Sequence, residues 1–458
     1  MLNGVVDMKV RLKSQVYVRH AGNESAIVAP RTEGCTVMVN ALPFLEKLNS
    51  TWCDVDEIVH HVVSTFACTP KEIIDDVGNI LDELAMQGFI VCEGCETTKC
   101  YGGRLGERIV KTENLPNETD GGMSPFGDFC KRHGVVAELH MDLTDRCNEA
   151  CVHCYIPKGG GTLMPTELAL KLLHEFRAGE GLTVFFSGGE CMLHPGFEMI
   201  LREARRLDLN IVVLSNVVLC DNRMVDLLKE IEPQFVNVSL YSMTAAEHDS
   251  ITRVSGSWER TMTAIHALKT AGVHVRLATP LMRVNRDAAD ALLAFARREG
   301  MHDVLDCDII GRMDHDCSNQ ACSLSVEEVE AVIRRYKAEL CHGRLDVASC
   351  TPDVKVCEIG ELKLNVNAAG DYYPCDGFHG MVLGNAMRDT LADVWRGERL
   401  NRLRSLRNRD FVKCVKCENR PWCKVCPMRN FNETGDMFSS APVRCAVTAI
   451  HRKVWEEK

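Results

Sequence analysis

Three cysteines, Cys147, Cys151 and Cys154, occur with the spacing Cys-x3-Cys-x2-Cys near the first third of the chain. Three thiolates on a cubane iron-sulfur cluster leave one iron open to a further ligand, whereas four cysteines close the cluster for electron transfer. The same spacing is also compatible with a zinc knuckle or with a chance cluster of cysteines. The chemistry of this triplet therefore depends on the motifs that accompany it.

A glycine-rich turn follows further along the chain. Gly188, Gly189 and Glu190 come directly after the apolar run Thr183 to Phe186. Glycines allow a backbone to approach a ligand closely, and a carboxylate accepts hydrogen bonds from an ammonium group. Such a tripeptide is weak evidence alone, but its place after a predicted strand and downstream of the cysteines favours a binding turn.

The triplet and the turn together resemble the motifs of radical S-adenosylmethionine (SAM) enzymes. In that family the open iron of a 4Fe-4S cluster chelates SAM, and one electron from the cluster splits SAM to give a 5′-deoxyadenosyl radical. The resemblance implies that Cys147, Cys151 and Cys154 bind the cluster and that the Gly-Gly-Glu turn holds the methionine amine of SAM. It also implies further SAM contacts, and the predicted cofactor-binding residues are His153, Tyr155, Ser187, Gly188, Gly189, Glu190, Asn216, Ser239, Arg253 and Leu277.

The implied roles of these residues differ. His153 and Leu277 match positions that contact the adenine, and Asn216 and Ser239 match positions at the ribose and the carboxylate. Arg253 suits the SAM carboxylate because a guanidinium binds a carboxylate bidentately, although a surface salt bridge explains it equally well.

The elements that must position these motifs follow from Val135 onward, where apolar runs alternate with helical patterns. Such alternation predicts a parallel sheet, and six units suit a partial (β/α)6 barrel of the TIM type. Active-site residues of such barrels lie at the carboxyl ends of the strands, which is where the motifs fall. The predicted strands are Val136 to Leu143, Thr183 to Phe186, Ile211 to Leu214, Phe235 to Leu240, His274 to Ala278 and Val304 to Ile309.

The amino-terminal 92 residues form a separate predicted module. Short β-type runs at 15–19 and 26–29 precede helical patterns at 55–66 and 70–87, and an apolar run follows at 89–91. This α+β pattern resembles the winged-helix-like, PqqD-like element that binds precursor peptides of ribosomally made natural products. A purely structural cap is the alternative.

Residues 93–134 are rich in glycine and polar residues, and this composition predicts a linker. The cysteines at its start, Cys92, Cys95 and Cys100, are more readily explained as inert thiols than as a metal site, because no fourth partner accompanies them.

The carboxyl-terminal region, 346–458, is rich in cysteine. Its pattern resembles the SPASM extension of peptide-modifying radical SAM enzymes, which carries two further 4Fe-4S clusters, with one departure: two residues instead of three separate Cys423 from Cys426. The resemblance implies an outer cluster on Cys414, Cys417, Cys423 and Cys445 and an inner cluster on Cys357, Cys375 and Cys426. A pair of zinc ribbons is the alternative.

Two residues of this extension bear on the reaction. Cys350 is the candidate fourth ligand of the inner cluster, and without it that cluster keeps an open iron for a substrate thiolate. Asp376 follows Cys375 and matches an aspartate that acts as the base in related enzymes, so it is the predicted catalytic residue. A turn-capping aspartate before Gly377 is the alternative.

Composition narrows the class of protein. The chain of 458 residues carries 24 cysteines and a net charge of -11, with 53 basic and 64 acidic residues. No apolar segment approaches the length of a membrane span, the first residues lack the apolar core of a signal sequence, and no basic block indicates nucleic acid. We therefore expect a cytoplasmic enzyme, in which reduced, clustered cysteines bind metal.

The combined features predict a maturase with three 4Fe-4S clusters and SAM that acts on a ribosomally synthesised precursor peptide. The expected product is a thioether between a cysteine sulfur and a carbon, as in sactipeptides and ranthipeptides. A cellular reductant such as flavodoxin or ferredoxin is the expected electron donor. Carbon-carbon cross-linking or epimerisation is the alternative within enzymes, and a multi-cluster electron-transfer protein is a remote one.

Overall fold

The computed structural model describes residues 9–66, 68–93, 125–157, 161–340 and 345–457. The chain forms two compact units, Met1–Val135 and Val136–Lys458. No helix within the described ranges is long and apolar enough to cross a bilayer.

The first unit contains two small antiparallel sheets and four helices. One sheet has the strand order β5-β1-β6 and the other β2-β3-β4. The predicted strands and helices of this region are present. Its strands are β1 (Lys9–Leu12), β2 (Tyr17–Ala21), β3 (Glu24–Ala29), β4 (Gly34–Val39), β5 (Cys53–Asp54) and β6 (Ile90–Cys92), and its helices are α1 (Leu42–Leu45), α2 (Val55–Phe66), α3 (Pro70–Met86) and α4 (Pro125–His133).

Helix α4 lies inside the segment that the sequence predicted to be a linker. Its apolar residues Phe126 and Phe129 are buried, and both Arg132 and His133 pair with the carboxylate of Glu24 in β3, at 2.8 and 2.9 Å. The end of the linker is therefore a helix that packs within the first unit, and the boundary lies at Val135. The short amphipathic pattern of α4 was hidden by the polar sequence before it, and Cys95 and Cys100 lie outside the described residues.

The second unit is built on one nine-stranded sheet with the order β12-β11-β10-β9-β8-β7-β13-β14-β15. All pairings from β12 to β13 are parallel, and the last two are antiparallel. The strands are β7 (Glu138–Thr144), β8 (Thr183–Gly188), β9 (Asn210–Ser215), β10 (Phe235–Ser239), β11 (Val275–Pro280), β12 (His302–Asp306), β13 (Lys363–Val366), β14 (Asp371–Tyr373) and β15 (Gly384–Asn385).

Helices connect these strands and follow them to the carboxyl terminus. The six predicted strands of the βα series are thus present in sequence order, with their ends shifted by a few residues. The helices are α5 (Thr166–Ala178), α6 (Phe197–Arg206), α7 (Asn222–Ile231), α8 (Ala245–Thr252), α9 (Ser257–Thr270), α10 (Ala289–Glu299), α11 (Val326–Arg335), α12 (Lys337–Leu340), α13 (Leu391–Arg396), α14 (Glu398–Arg404), α15 (Val412–Val415), α16 (Pro427–Thr434) and α17 (Pro442–Glu456).

Alternation along β7 shows how the sheet separates its two faces. Leu139, Met141 and Leu143 are fully buried in the main core against the helices, where each apolar side chain contributes about 1.5–3 kcal/mol. The residues between them, Glu138, His140 and Asp142, point to the opposite face because successive strand residues alternate. This polar row on β7 is called the β7 row below.

The cysteine-rich extension continues the barrel sheet. Strand β13 pairs in parallel with β7, with Lys363 opposite Glu138 and Asn365 opposite His140. The chain after residue 345 is therefore hydrogen-bonded to the first barrel strand, which places the extension directly beside the β7 row.

Candidate active site

The cysteine triplet lies in the loop that follows β7. Two backbone hydrogen bonds tie this loop to the end of α8: the amide of Ala150 donates to the carbonyl of Thr252 at 2.9 Å, and that of Val152 to Ile251 at 3.0 Å. The loop is thereby held against the fourth βα unit. The three thiols are free and lie within eight residues of each other in the chain.

The surroundings of these thiols suit sulfur ligands. The amide of Asn216 lies 3.9 Å from Sγ of Cys147, and the hydroxyl of Tyr241 lies 3.8 Å from Sγ of Cys151. Donors of this kind tune a cluster through hydrogen bonds to its sulfurs. Among the described residues no group of three histidine, cysteine, aspartate or glutamate side chains is placed to hold a single metal ion.

The glycines of the Gly-Gly-Glu turn serve a close approach between two loops. A Cβ atom on Gly188 would lie 2.1 Å from the carbonyl oxygen of Thr144, and one on Gly189 would lie 2.2 Å from that of Arg146. Gly188 has a φ of 123°, which also favours glycine. The amide of Gly189 donates to Thr144 at 2.7 Å. The sequence predicted an approach to the ligand, whereas here the backbone that approaches is the cysteine loop itself.

Glu190 is only 1% exposed, and its carboxylate accepts hydrogen bonds from backbone amides and side chains of the protein. Oε1 accepts from the amide of Met192 at 3.0 Å and from the hydroxyl of Ser215 at 2.8 Å, and Oε2 accepts from the amide of Asn216 at 2.8 Å. Burial raises the pKa of Glu190. The side chain therefore joins the ends of β8 and β9, a use that the sequence did not predict.

His153 and Tyr155 flank the third cysteine of the triplet. The ring of His153 meets that of Tyr241 edge-on at 5.0 Å, and burial lowers the pKa of His153 to about 4, so the imidazole is neutral at pH 7. Burial, followed by the carboxylates of Asp142 and Asp376, raises the pKa of Tyr155. Tyr155 thus lies between the cysteine loop and the extension.

Two strand residues predicted to contact SAM differ in orientation. Ser239 of β10 lies on the face opposite Val236 and Val238, which belong to the core. Leu277 of β11 pairs in register with Val238 and is fully buried in that core. The side chain of Leu277 therefore faces the helices, and the adenine contact at this position stays a prediction. Ser187 of β8, like Ser239, alternates with core residues of its strand.

Arg253 ends helix α8 with a left-handed backbone conformation. It lines a cavity of about 370 Å³ together with Val152, Arg283 and Cys322. A second arginine that the sequence analysis did not select, Arg260 of α9, lies close enough to Glu149 to affect its pKa. The structure therefore offers two guanidinium groups near the cysteine loop, and no sequence pattern distinguished them.

Glu149 lies within the triplet itself and was also missed. Burial raises its pKa to about 7, although the thiol of Cys151, which donates to Oε2 at 3.3 Å, and the guanidinium of Arg260 oppose this effect. A carboxyl with a pKa near neutrality next to a predicted iron ligand changes its charge in the working range of most enzymes.

The cysteines of the extension fall into two groups in space. Burial and the nearby thiols of Cys423, Cys445 and Cys417 raise the pKa of Cys414 to about 11. Burial also raises the pKa of Cys375, and the thiols of Cys426 and Cys357 add to this effect. The first group is called the outer thiols and the second the inner thiols.

Sγ of Cys350 lies 3.8 Å from the carbonyl oxygen of Arg420, in the short 3-10 helix Arg420–Trp422 between two outer cysteines. Its role as the fourth ligand of the inner cluster stays a prediction.

Asp376 extends from the inner thiols toward the β7 row. Its Oδ1 lies 3.0 Å from Nδ1 of His140, and its Oδ2 lies 3.4 Å from Nζ of Lys363. The side chain is half exposed, at 50%. These partners are side chains of β7 and β13 and not amides of its own turn, so the carboxylate is directed to the inside of the barrel sheet.

Comparisons with known proteins agree with this architecture. Residues 141–296 match the radical SAM superfamily, and residues 357–427 match the SPASM iron-sulfur cluster-binding domain. The chain is 23% identical to the AdoMet-dependent heme synthase of Methanosarcina barkeri over 66% of this chain and 95% of the relative. It is 25% identical to the PqqA peptide cyclase of Gluconobacter oxydans over 69% of this chain and 92% of the relative.

The fold is similar to that of SuiB from Streptococcus suis, solved bound to its precursor peptide SuiA. The TM-score is 0.63 at 14% identity, and the match covers 95% of this chain and 99% of SuiB. A likeness at this identity concerns the fold.

The loop thiols, the glycine turn and the two matched domains lead to one chemistry. When bound, a 4Fe-4S cluster and SAM supply a 5′-deoxyadenosyl radical, and the SPASM domain holds auxiliary iron-sulfur clusters. The protein is an enzyme of radical chemistry, and its residues 141–296 and 357–427 match the radical SAM superfamily and the SPASM iron-sulfur cluster-binding domain.

Proposed function

We propose that the protein installs thioether cross-links, from a cysteine sulfur to a carbon, in a ribosomally synthesised precursor peptide. A peptide substrate is supported by the PqqA peptide cyclase among the relatives and by SuiB, which was solved with a precursor peptide and resembles nearly the whole chain. The AdoMet-dependent heme synthase differs from these two proteins, because its name does not indicate a peptide substrate. The unit before Val135 is a natural place for the additional task of holding a leader peptide.

The observation that carries the thioether proposal is the arrangement of Asp376 beside three inner thiols. If Cys350 is not a ligand, the inner thiols Cys357, Cys375 and Cys426 would leave one iron of a bound cubane open. A substrate thiolate suits that position because thiolates are the usual ligands of such clusters. Asp376 follows Cys375 directly and would take the thiol proton.

Atoms and electrons balance in this scheme. When bound, the cluster and SAM would supply a radical that takes one hydrogen atom from the acceptor carbon. Asp376 would take the proton of the substrate thiol, the sulfur would bond to the carbon, and one electron would remain for an acceptor. Lys363 and His140 flank the carboxylate of Asp376 and would hold it in place while it receives the proton.

A groove of the first unit supports leader binding. Strand β4 pairs with β3 on one side only, within the described residues, and a cavity of about 320 Å³ lies between β4, α2 and α3. Its lining is mainly apolar and includes Val39, Phe66 and Ile80, of which Val39 is 60% and Phe66 50% exposed. An extended leader would add to the free edge of β4 and place apolar side chains in this groove.

Variants of the groove test the leader assignment. Val39→Asp and Phe66→Asp place a charge in an apolar contact, so leader affinity should fall by about tenfold or more. Met86→Asp is the matched control, because Met86 is also exposed, at 53%, but does not line the groove. Affinities are measured with a fluorescent leader peptide, and equal values for Phe66→Asp and Met86→Asp would contradict the assignment.

Mass spectrometry of a co-expressed precursor tests the function itself. A thioether removes two hydrogens from the peptide and makes one cysteine unreactive to iodoacetamide. A peptide with the same mass loss whose cysteines all react would instead show a carbon-carbon cross-link. The PqqA peptide cyclase among the relatives is the observation that keeps this second candidate. An unchanged mass with inverted residues would indicate epimerisation.

A further inference from the structure

A buried carboxylate joins the last barrel strand to two helices of the extension. Asp308 follows β12 by two residues and is 7% exposed, and its Oδ2 pairs with the guanidinium groups of both Arg429 and Arg444. Nη1 of Arg444 donates to this oxygen at 3.0 Å. The side chains of Arg429 and Arg444 are only 14% and 19% exposed. Two cations therefore share one anion inside the second unit.

Both arginines reach this carboxylate from the first turn of a helix. Helix α16 begins with Pro427 to Arg429 and helix α17 with Pro442 to Arg444, so each helix starts with the pattern Pro-x-Arg. Proline suits the first helical position because the amide it lacks would have no partner there. Each arginine is thereby placed close in sequence to a predicted cluster ligand, since Cys426 precedes α16 and Cys445 follows Arg444.

Arg444 lies near thiols of both groups. Burial alone would lower its pKa, but the carboxylate of Asp308 and the thiols of Cys423 and Cys426 raise the pKa of Arg444. Cys423 is an outer thiol and Cys426 an inner one. Arg429, Arg444 and Cys426 also line one cavity of about 360 Å³. One guanidinium group therefore adjoins both predicted cluster sites of the extension.

The charges around Asp308 favour the positive sign. Two guanidinium groups share its carboxylate, and the amino-terminal ends of α16 and α17 add partial positive charge. The other carboxyl groups nearby belong to Asp306 and Glu433, and burial raises the pKa of both, which disfavours their charged forms. Buried positive charge is costly unless negative charge lies beside it. Cysteines that bind iron are thiolates and supply that negative charge.

We propose that Arg444, held in place by Asp308, raises the reduction potentials of the clusters on the inner and outer thiols through its positive charge. Reduction adds one electron to a cluster and changes no bond, and a fixed cation nearby stabilises the form with the additional electron. Arg429 acts in the same direction because it shares the carboxylate. On the proposed function, a higher potential favours transfer to these clusters of the electron that remains after carbon-sulfur bond formation. That benefit rests on the proposed function, whereas the effect of Arg444 on the potentials does not.

A purely structural ion pair is the alternative, because Asp308 also links the barrel to the extension. Loss of a structural link would lower iron loading or stability, but it would not shift the potentials of clusters that do load. It would also give no reason for Asp308 and Arg444 to have opposite effects. The sign of the shift therefore separates the two roles.

The test is a redox titration of the iron-loaded enzyme without peptide, followed by electron paramagnetic resonance. The signal that changes when SAM is added is assigned to the cysteine loop, and the remaining signals report the auxiliary clusters. Arg444→Gln should make their reduction about tenfold less favourable, a shift of about 59 mV to lower potential for one electron. Asp308→Asn removes the opposing charge and should shift the same potentials upward. Arg444→Lys keeps the positive charge and should stay near the wild-type values.

Lys453→Gln is the matched control. Lys453 is a cation of the same helix, α17, but it is 56% exposed and pairs with Glu330 at 2.8 Å, so its loss should leave the potentials unchanged. If Arg444→Gln loads less iron than the wild type, Arg429→Gln takes its place with the same expected direction. Wild-type potentials in the loaded arginine variant, or a downward shift in Asp308→Asn, would overturn the proposal. Because no peptide is present, a wrong cross-link chemistry would not alter these potentials.

Discussion

The loop thiols of the barrel and the thiols of the extension reach their places by different means. Cys147, Cys151 and Cys154 lie in one loop of eight residues that backbone bonds hold to α8. The inner thiols are brought together across 69 positions of sequence, from Cys357 to Cys426, by the pairing of β13 with β7 and by the fold that follows. Local spacing therefore predicts the first group well, while the second depends on tertiary structure.

The same contrast applies to polar neighbours. Around the loop, Glu190, Ser215 and Asn216 form a closed hydrogen-bond set that joins strand ends. Around the inner thiols, Asp376 meets His140 and Lys363 from two other strands in a half-exposed position. In the first region hydrogen bonds fix the positions of buried side chains, whereas in the second region the carboxylate of Asp376 stays half exposed. Each of the following predictions tests one side of this contrast.

The largest effect is expected when the loop thiols are removed. Replacing Cys147, Cys151 and Cys154 by alanine should abolish SAM cleavage, while about eight of about twelve irons per monomer should remain if each site holds a four-iron cluster. Iron analysis and 5′-deoxyadenosine assays check this. Undiminished cleavage would show that the radical does not arise at this loop.

The next effect concerns the accessible carboxylate. Asp376→Asn keeps the shape and removes the base, so cross-linking should fall by roughly 100-fold, the usual range for a lost general base. Cleavage of SAM should continue, uncoupled from product. Glu138→Gln is the matched control, since Glu138 lies in the same β7 row, 3.7 Å from His140 and 3.9 Å from Lys363, but does not follow an inner cysteine. If the Asp376→Asn variant cross-links the peptide at the wild-type rate, Asp376 is a turn residue and not the base.

A smaller effect distinguishes the two arginines near the loop. Arg253→Ala should raise the KM for SAM by about tenfold, because Arg253 is the predicted partner of the SAM carboxylate and loss of a charge-assisted hydrogen bond costs about 1.5–3 kcal/mol. Arg260→Ala should change the KM less, because Arg260 interacts with Glu149. Steady-state cleavage rates at varied SAM concentration give both values. The reverse order would assign the carboxylate contact to Arg260.

The smallest effect is expected at Cys350. Because its thiol lies at the carbonyl of Arg420, Cys350→Ser should leave the iron content unchanged, whereas Cys357→Ser should lower it. The two variants are compared by iron analysis and by electron paramagnetic resonance of the reduced protein. Equal losses of iron from the two variants would show that Cys350 is the fourth ligand of the inner cluster.

The sequence predicted the six strands of the βα series in order, because strands and helices with regular periodicity depend on local patterns. In the first unit it did not predict the short strands β1, β4 and β5. Helix α4 was also missed, as its short pattern lay within polar sequence.

Contacts between residues that are distant in sequence could not be predicted from the sequence. Glu149, Arg260 and His140 acquire their places through strand pairing and helix packing that no spacing encodes. The use of Glu190 inside the protein, rather than at an open surface, likewise depends on the approach of β8 to β9. Motif spacing thus identified the loop, and the structure identified its neighbours.

Transfer of deuterium tests the central claim most directly. A precursor peptide that is deuterated at all carbon positions is converted by the wild-type enzyme, and 5′-deoxyadenosine and cross-linked peptide are quantified by mass spectrometry. The account predicts one deuterium in 5′-deoxyadenosine for each thioether formed, because the radical takes its hydrogen from the carbon that then bonds to sulfur. Unlabelled 5′-deoxyadenosine alongside a cross-linked peptide would contradict it.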